Sequence, residues 1–143
     1  MKSTAKEGRS TVSVSMLYRN APAAIEWLCD VFGFEKHAVY PGANGTIAHA
    51  ELTFGNGMIM LGSAAPSEYS KLMVHPDETG LRNTHNINLI STDPDAVYEK
   101  AKQAGAEIVS EIEDKHYGGR GFSCRDLEGY LWHVGSYDPW DKK

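Results

Sequence analysis

The feature that most constrains the fold of this chain is an internal repeat in its proline and glycine residues. Three pairs stand at one constant separation of 72 residues: Pro22 and Pro94, Gly33 and Gly105, and Gly57 and Gly129. Because proline and glycine mark where helices and turns begin and end, this common offset predicts two copies of one supersecondary unit. The alternative is an ordinary α+β domain in which the spacing is accidental.

The first copy reads as a strand, a helix and three more strands. We expect residues 1–11 to be a flexible tail and residues 12–18 to be a strand, because only the second segment is rich in β-forming residues. Pro22 follows an asparagine cap and starts a helix whose apolar stripe ends at Gly33. Further strands are predicted at 36–40, 47–54 and 58–61. The dipeptide Asn56-Gly57 predicts a hairpin turn between the last two.

The second copy repeats this order. Residues 84–90 form a strand-like run, Asp93-Pro94 starts a helix, and Asp126-Leu127-Glu128-Gly129 forms the turn before a last strand at 130–135. Residues 12–143 should therefore form a single α+β domain of two paired βαβββ modules. The modules are predicted at about 12–62 and 84–137, joined by a linker or lid at 63–83. Two such sheets facing each other would leave a cleft, which is the natural ligand site.

Composition and charge exclude several classes of function. The 143-residue chain carries a formal charge of −5 without a basic cluster, which argues against a nucleic-acid partner. No apolar run approaches the roughly 20 residues of a membrane span, and the N-terminus does not resemble a signal peptide. Two cysteines are too few for a disulfide scaffold. We expect a cytoplasmic protein with no membrane partner.

Two long motifs near the C-terminus resemble one known family. The stretches Tyr117-Gly118-Gly119-Arg120-Gly121-Phe122 and Asp126-Leu127-Glu128-Gly129-Tyr130-Leu131-Trp132-His133-Val134-Gly135-Ser136-Tyr137 resemble the glyoxalase/bleomycin-resistance/dioxygenase, or vicinal-oxygen-chelate, superfamily. The helix regions beginning at Asn20 and Asp93 are similar to the same family. The resemblance implies a curved sheet around a cleft, frequent homodimers, and members that either hold a divalent metal or only bind a drug.

Metal-dependent members of this family place four His or Glu ligands on the first and last strands of the two modules. The matching positions here are near Ser13, at Leu61, at His85 or Asn86, and at His133. Serine is a poor ligand and leucine is none, so at most two histidines remain where a catalytic metal normally needs three protein ligands. We predict no metal cofactor. The alternative is a divalent metal held by His85 and His133.

Seven residues are candidates for binding a ligand: Ser13, Tyr40, Glu51, Asn86, Tyr117, Arg120 and His133. If His133 faces the cleft, strand alternation places Leu131 and Gly135 beside it and Trp132 in the core. Asn88 is a further polar residue on the same strand as Asn86. The other histidines, His37, His49, His75 and His116, are interpreted as surface or loop residues.

Arg120 and Tyr117 lie in a glycine-rich loop. Arg120 either presents a fixed cation to a ligand or pairs with Asp126 or Glu128. Tyr117, and Tyr40 in the first copy, are aromatic residues with a polar tip, which suits a planar ligand. Glu51 is interpreted as facing the cavity or exposed at an edge.

Three functions compete on these observations. The leading hypothesis is a metal-free homodimeric protein that binds a small molecule, either an antibiotic-like aromatic compound or a metabolite, and that is not an enzyme. The second is a metal-dependent lyase, isomerase or dioxygenase, favoured if His85 and His133 converge and Glu51 reaches them. The third is an assembly module that uses the apolar strand 58–61 as a dimer interface.

Overall fold

Both copies of the repeat are present and have the same order of elements. A computed structural model describes residues 8–141, and the chain divides into an N-terminal and a C-terminal unit between His75 and Pro76. The N-terminal unit contains β1 (Val14–Tyr18), α1 (Ala21–Phe32), β2 (Glu35–Pro41), β3 (Ile47–Phe54) and β4 (Gly57–Ser63). The C-terminal unit contains β5 (Ile87–Ile90), α2 (Pro94–Gln103), β6 (Glu107–Asp114), β7 (Arg120–Arg125) and β8 (Leu131–Gly135).

The sheets have the same topology in the two units. Their strand orders are β1-β4-β3-β2 and β5-β8-β7-β6. The first and last strands of each unit pair in parallel, and the other neighbours are antiparallel. The predicted α+β fold of two βαβββ modules is therefore confirmed. That residues 12–143 form a single domain stays a prediction.

The predicted tail is only partly described. Residues 1–7 lie outside the described residues, so that part of the prediction has no structural counterpart here. Residues 8–11 are exposed and lie outside the sheets. The backbone N–H of Ser10 nevertheless donates to the carbonyl of Asn56 at 3.0 Å, so this segment contacts the β3–β4 turn.

Local capping determines where the helices begin and end. The Asn20 side chain accepts from the Ala23 N–H at 3.2 Å, and the Asp93 side chain accepts from the Ala96 N–H at 3.2 Å, as their sequence positions predict. Helix α1 ends at Gly33, whose φ of 89° lies in the left-handed region. Across residues 8–141, no helix has the length and apolar character that crossing a bilayer requires.

The predicted hairpin joins β3 to β4, but its turn is displaced by one residue. Phe54 pairs with Gly57, so the two loop residues are Gly55 and Asn56 rather than Asn56 and Gly57. Gly55 has a φ of 55°, which suits a glycine at the first position of a two-residue turn.

The first strands of both units are shorter than their sequence patterns indicate. β1 begins at Val14 rather than at residue 12, and β5 begins at Ile87 rather than at residue 84. Before β5, the side chain of Asn83 donates to the Gly129 carbonyl at 3.1 Å and accepts from the Leu131 N–H at 3.3 Å. The Asn83 side chain thus forms the hydrogen bonds with Gly129 and Leu131 that the backbone of a longer β5 would otherwise form.

The second half of the predicted linker belongs to the C-terminal unit. Leu81 has a φ of 64°, and its carbonyl accepts from the Arg125 Nε at 3.3 Å. A Cβ on Gly129 would lie 2.7 Å from Leu81 Cδ2, so the leucine side chain packs directly over this glycine. His75, which the sequence interpretation placed at the surface or in a loop, is a loop residue but is only 7% exposed.

Each sheet buries one face under its helix. In the C-terminal unit the buried hydrophobic side chains of the strands are those of Leu89, Phe122, Cys124, Trp132 and Val134. Tyr98 of α2 contacts Phe122 with ring centroids 5.1 Å apart, which identifies this side as the helix face. The predicted core position of Trp132 is confirmed, and its indole N–H donates to Asp126 Oδ2 at 3.0 Å. We call the opposite side of each sheet its open face.

Candidate ligand-binding site

His133 lies on the open face of the C-terminal sheet, in a row of polar side chains. It pairs with Ser123 on β7 and with Asn88 on β5. Because side chains alternate along a strand, Leu131 and Gly135 share its face, while the buried neighbours of His133 in β8 point toward the helix. Three strands therefore bring a hydroxyl, an imidazole and an amide side by side.

Two glycines make room for the imidazole of His133. Gly121 and Gly135 pair directly across β7 and β8. A Cβ built on Gly121 would lie 3.0 Å from His133 Nε2, and one built on Gly135 would lie 3.1 Å from the same atom. The ring therefore lies over this glycine pair, in space that any other residue would occupy.

The two nitrogens of His133 differ in their surroundings. Nδ1 is hydrogen-bonded to Ser123 Oγ at 3.0 Å. Nε2 has no hydrogen-bond partner in residues 8–141. Because the tautomer decides whether Nε2 donates or accepts, the open face offers a ligand one hydrogen bond of either polarity.

The surroundings of His133 favour the neutral form of its imidazole. Burial lowers the pKa of His133 below its ordinary value of 6.5, and the positive charge of Lys115 lowers it further. Lys115 is itself paired with Glu113 at 3.1 Å. The site thus presents a neutral polar group rather than a cation.

The strand register corrects the positions at which a metal would be held. Glu51 of β3 corresponds to Ser123 of β7, which lies 72 residues later. Glu51 pairs with Met60 and Ser123 pairs with His133, so the offset between β4 and β8 is 73 residues. The residue of the first module that corresponds to His133 is consequently Met60. Leu61, the position that the offset indicates, is 2% exposed and faces the helix.

Neither sheet by itself presents the ligands of a catalytic divalent metal at the positions that the family resemblance implies. On the open faces, the first and last strands carry Ser15 and Met60 in the N-terminal unit and Asn88 and His133 in the C-terminal unit. A hydroxyl, a thioether, an amide and one imidazole are too few strong ligands for Zn²⁺, Ni²⁺ or Fe²⁺. Over the described part of the chain, no three His, Cys, Asp or Glu side chains are grouped to hold a metal ion.

Three sequence candidates lie just before the strands instead of within them. Ser13 is exposed and directly precedes β1, and Asn86 is exposed and directly precedes β5. His85 is exposed too, and its Nδ1 is hydrogen-bonded to Thr84 Oγ1 at 3.2 Å. The β5 residue beside His133 is Asn88, so the pairing of His85 with His133 has no support in the register.

The side chain of Arg120 lies on the helix side of the C-terminal unit, where it pairs with Asp95 of α2. Its Nε and Nη2 donate to the two carboxylate oxygens of Asp95 at 2.9 and 3.1 Å, and its Nη1 lies 3.5 Å from Asp114 Oδ1. The hydrogen bond from Arg120 lowers the pKa of Asp95. The suggested pairing with Asp126 or Glu128 is therefore wrong, because α2, which is distant in sequence, supplies the better bidentate partner.

Tyr117 lies in a small aromatic cluster in the loop before β7. Its ring meets Tyr137 edge-on, with centroids 5.1 Å apart, and meets His116 at 5.2 Å. The side chain is 43% exposed. The contacts hold Tyr117 in the loop cluster, outside the row of Ser123, His133 and Asn88.

The remaining two candidates, Tyr40 and Glu51, each lie beside His49 on the open face of the N-terminal sheet. Tyr40 of β2 pairs with His49 of β3, and their rings lie 6.2 Å apart with planes 21° from parallel. His49 Nε2 lies 3.0 Å from Glu51 Oε2. His49, which the sequence interpretation placed at the surface or in a loop, is a partly exposed residue within β3. The sequence could have predicted its proximity to Glu51, because residues two apart on one strand share a face of the sheet.

Comparison with known proteins agrees with this architecture. The family model for the Glyoxalase/Bleomycin resistance protein/Dioxygenase superfamily matches residues 11–134. TioX from Micromonospora sp. ML1 is 32% identical, and the match covers 88% of this chain and 97% of that protein with a TM-score of 0.65. An uncharacterized protein of Mycobacterium bovis is 28% identical over 124 residues, or 87% of this chain and 81% of that protein.

A more distant structure shares the fold alone. FosX, a fosfomycin resistance protein from Listeria monocytogenes, is 14% identical, with 91% of this chain and 92% of that protein covered and a TM-score of 0.64. The match to the family model spans nearly the whole repeat, including both helices and the last strand that carries His133. The chain therefore belongs to the Glyoxalase/Bleomycin resistance protein/Dioxygenase superfamily.

Proposed function

We propose that this protein binds a small molecule without a metal ion, in the manner of the drug-sequestering members of its superfamily. The observation that carries the proposal is the position of the His133 imidazole on the open face above Gly121 and Gly135, where Nε2 has no hydrogen-bond partner in residues 8–141. A polar group that can still form a hydrogen bond is what a ligand-orienting residue requires. The same group, without further strong ligands beside it, is a weak basis for metal chemistry.

The surroundings of His133 indicate the kind of ligand. Ser123 and Asn88 add neutral polar groups in the same row. Ile90, which pairs with Gly135 and is 44% exposed, and Leu131 supply apolar surface on either side of that row. Neutral hydrogen-bonding groups between apolar patches suit an aromatic compound with a carbonyl, hydroxyl or ring nitrogen, such as an antibiotic-like molecule or a metabolite.

A ligand screen tests this proposal directly. Thermal-shift screening of aromatic antibiotics would be followed by calorimetric titration of each hit against the wild type, His133→Ala and His85→Ala. Loss of one hydrogen bond should weaken binding about 2- to 10-fold in His133→Ala. His85→Ala is the matched control, because His85 is exposed and lies before β5. Hits that bind His133→Ala as tightly as the wild type would refute the proposed site.

The competing function is a metal-dependent lyase, isomerase or dioxygenase. It has one observation in its favour, since structures of the fosfomycin resistance protein FosX from Listeria monocytogenes, which shares the fold, were obtained with Mn(II). None of Ser15, Met60 and Asn88 is a strong ligand for these metals, which argues against it. Titrating untagged protein with Zn²⁺, Ni²⁺, Fe²⁺ and Mn²⁺ separates the two. Stoichiometric binding that disappears in His133→Ala would refute metal-free binding and would call for a screen of substrates.

The proposal includes a homodimer that acts in the cytoplasm. Homodimers are frequent in the family, and sedimentation should give twice the 15.7 kDa mass of one chain. Both cysteines are thiols, and burial raises the pKa of Cys124 to about 12. Such thiols suit a reducing compartment. A monomer in sedimentation, or recovery outside the cytoplasmic fraction of cells, would contradict these two parts of the proposal separately.

A further inference from the structure

A hydrogen bond between two neighbouring strands holds one nitrogen of His133. Ser123 of β7 and His133 of β8 pair directly across the antiparallel ladder, and Ser123 Oγ lies 3.0 Å from His133 Nδ1. Both residues are half-buried. Because cross-strand partners share a face of the sheet, the strand pairing itself sets this contact. The hydrogen bond is therefore part of the sheet and not an accidental contact of two surface side chains.

The direction of this hydrogen bond decides what the other nitrogen of His133 can do. A neutral imidazole carries a proton on one nitrogen only, and a serine hydroxyl can either donate or accept. Burial favours the neutral form of His133, because it lowers the pKa below the ordinary 6.5. If Ser123 donates to Nδ1, the proton is on Nε2, which is then a donor. If Nδ1 donates to Ser123, Nε2 is an acceptor.

The surroundings of Ser123 favour donation by its hydroxyl. Among residues 8–141, no group other than His133 forms a hydrogen bond with Ser123 Oγ, including Ser110, which lies opposite it on β6. If Nδ1 donated to Ser123, the half-buried hydroxyl would direct its own hydrogen to a place where the protein provides no acceptor, which costs free energy. Donation to Nδ1 uses that hydrogen and leaves the Nε2–H on the open face.

We propose that Ser123 holds the proton of His133 on Nε2, so that the site selects ligands that present a hydrogen-bond acceptor. Ser123 is a positioning residue, because it acts on the ligand through His133. The selection rests on the proposed function, since it needs a ligand at His133, whereas the position of the proton does not. An aromatic ketone or a heterocycle with a bare ring nitrogen should be preferred over a heterocycle whose only polar group is an N–H.

The other polar neighbour of His133 does not impose this selection. Asn88 of β5 pairs with His133 on its other side and is exposed. An amide both donates and accepts, so Asn88 can serve a ligand of either polarity. The choice between donor and acceptor ligands therefore depends on the tautomer of His133.

Nitrogen NMR of the complete chain, with isotope-labelled histidine, measures the tautomer without a ligand. Spectra are recorded at alkaline pH, where histidine is neutral, and the His133 signals are those missing from His133→Gln. Protonated and bare ring nitrogens resonate at widely different chemical shifts. We expect Nε2 in the protonated range and Nδ1 in the bare range. A proton on Nδ1 in the wild type would overturn the proposal.

Three variants show whether Ser123 is the cause. Ser123→Ala removes the hydroxyl, and loss of one hydrogen bond should lower the ratio of the Nε2-protonated to the Nδ1-protonated form about 2- to 10-fold. Ser123→Thr keeps a hydroxyl and should keep the wild-type ratio. Ser110→Ala is the matched control, because it removes a half-buried hydroxyl from the facing position of β6. A ratio that Ser123→Ala leaves unchanged, or that Ser110→Ala lowers equally, would overturn the proposal.

Two fragments of similar size test the selection of ligands. Quinoline has a bare ring nitrogen and only accepts a hydrogen bond, whereas indole has an N–H and only donates one. Each is titrated into the labelled protein while the Nε2 signal of His133 is followed. Quinoline should bind about 2- to 10-fold more tightly than indole, and Ser123→Ala should reduce this ratio. Equal affinities, tighter binding of indole, or no shift of Nε2 with either fragment would overturn the selection of acceptors.

The position of the proton separates this proposal from the proposed function. A proton on Nδ1 overturns the role of Ser123, even if the hits of the antibiotic screen still depend on His133. Hits that bind His133→Ala as tightly as the wild type refute the proposed ligand site, even if Ser123 holds the proton on Nε2. Failure of one idea is therefore distinguishable from failure of the other.

Discussion

Replacing Gly121 with alanine tests whether the space beneath His133 is built into the sheet. The added Cβ would lie 2.8 Å from the Val134 carbonyl oxygen, 3.0 Å from His133 Nε2 and 3.1 Å from the Gly135 Cα. Two of these neighbours are backbone atoms of β8 and cannot rotate away. The strands must separate or the imidazole must move, and overpacking of this kind costs about 1–3 kcal/mol.

The assay compares two strand glycines by urea denaturation. Gly121→Ala should lower the free energy of unfolding by about 1–3 kcal/mol, and the melting temperature by roughly 3–10 °C. Gly57→Ala is the matched control, because its Cβ would meet only the Phe54 carbonyl oxygen at an ordinary 3.4 Å. We expect a change within about 0.5 kcal/mol there. Equal stability of the two variants would refute the packing argument.

The same variant connects packing to ligand binding. Displacing the imidazole should break the hydrogen bond between His133 Nδ1 and Ser123 Oγ and move Nε2. Affinity for a ligand bound by His133 should then fall about as far as in His133→Ala. Gly121→Ala combined with His133→Ala should therefore bind no more weakly than either single variant. Additive losses would show that Gly121 acts on the ligand by another route.

Three further predictions follow from other contacts of the C-terminal unit. Trp132→Phe removes the N–H donor to Asp126 Oδ2, and Asp126 is only 6% exposed. The free energy of unfolding measured in urea should fall by about 2–3 kcal/mol. A loss below about 0.5 kcal/mol would contradict the hydrogen bond. Arg120→Met breaks the half-exposed pair with Asp95 and should lower the urea midpoint only slightly while leaving ligand binding unchanged, since Arg120 lies on the helix side. Because the folded-state pKa of His133 is lowered, the unfolded chain takes up a proton first as pH falls, so stability should decrease below about pH 6.5 and less so in His133→Gln. Identical pH–stability curves for the two proteins would rule out His133 as the cause.

Elements stabilised by neighbours in the chain were predictable from the sequence. Asn20 and Asp93 cap helices through N–H groups three residues away, and Gly33 ends α1 by adopting a positive φ. These contacts involve only a few consecutive residues, so residue type and spacing are enough to predict them. The family motifs added the βαβββ arrangement, and the core position of Trp132 followed from alternation along β8.

Contacts between strands distant in sequence were not predictable in the same way. The 72-residue offset carried His133 onto Leu61, whereas the register places Met60 at the corresponding position. A shift of one residue reverses the face that a side chain occupies, and nothing local to β4 or β8 specifies that shift. The offset alone therefore could not determine on which face of the sheet each metal position lies.

The sequence by itself determined the repeat, the helix boundaries and the strand that carries His133, because short-range sterics and hydrogen bonds control them. Only the tertiary structure decided which side chains meet. Strand pairing placed Gly121 and Gly135 beneath His133, and packing of α2 placed Asp95 within hydrogen-bonding distance of Arg120. These contacts depend on backbone positions set by the whole sheet, where the energy of one pair is small compared with that of the packed core.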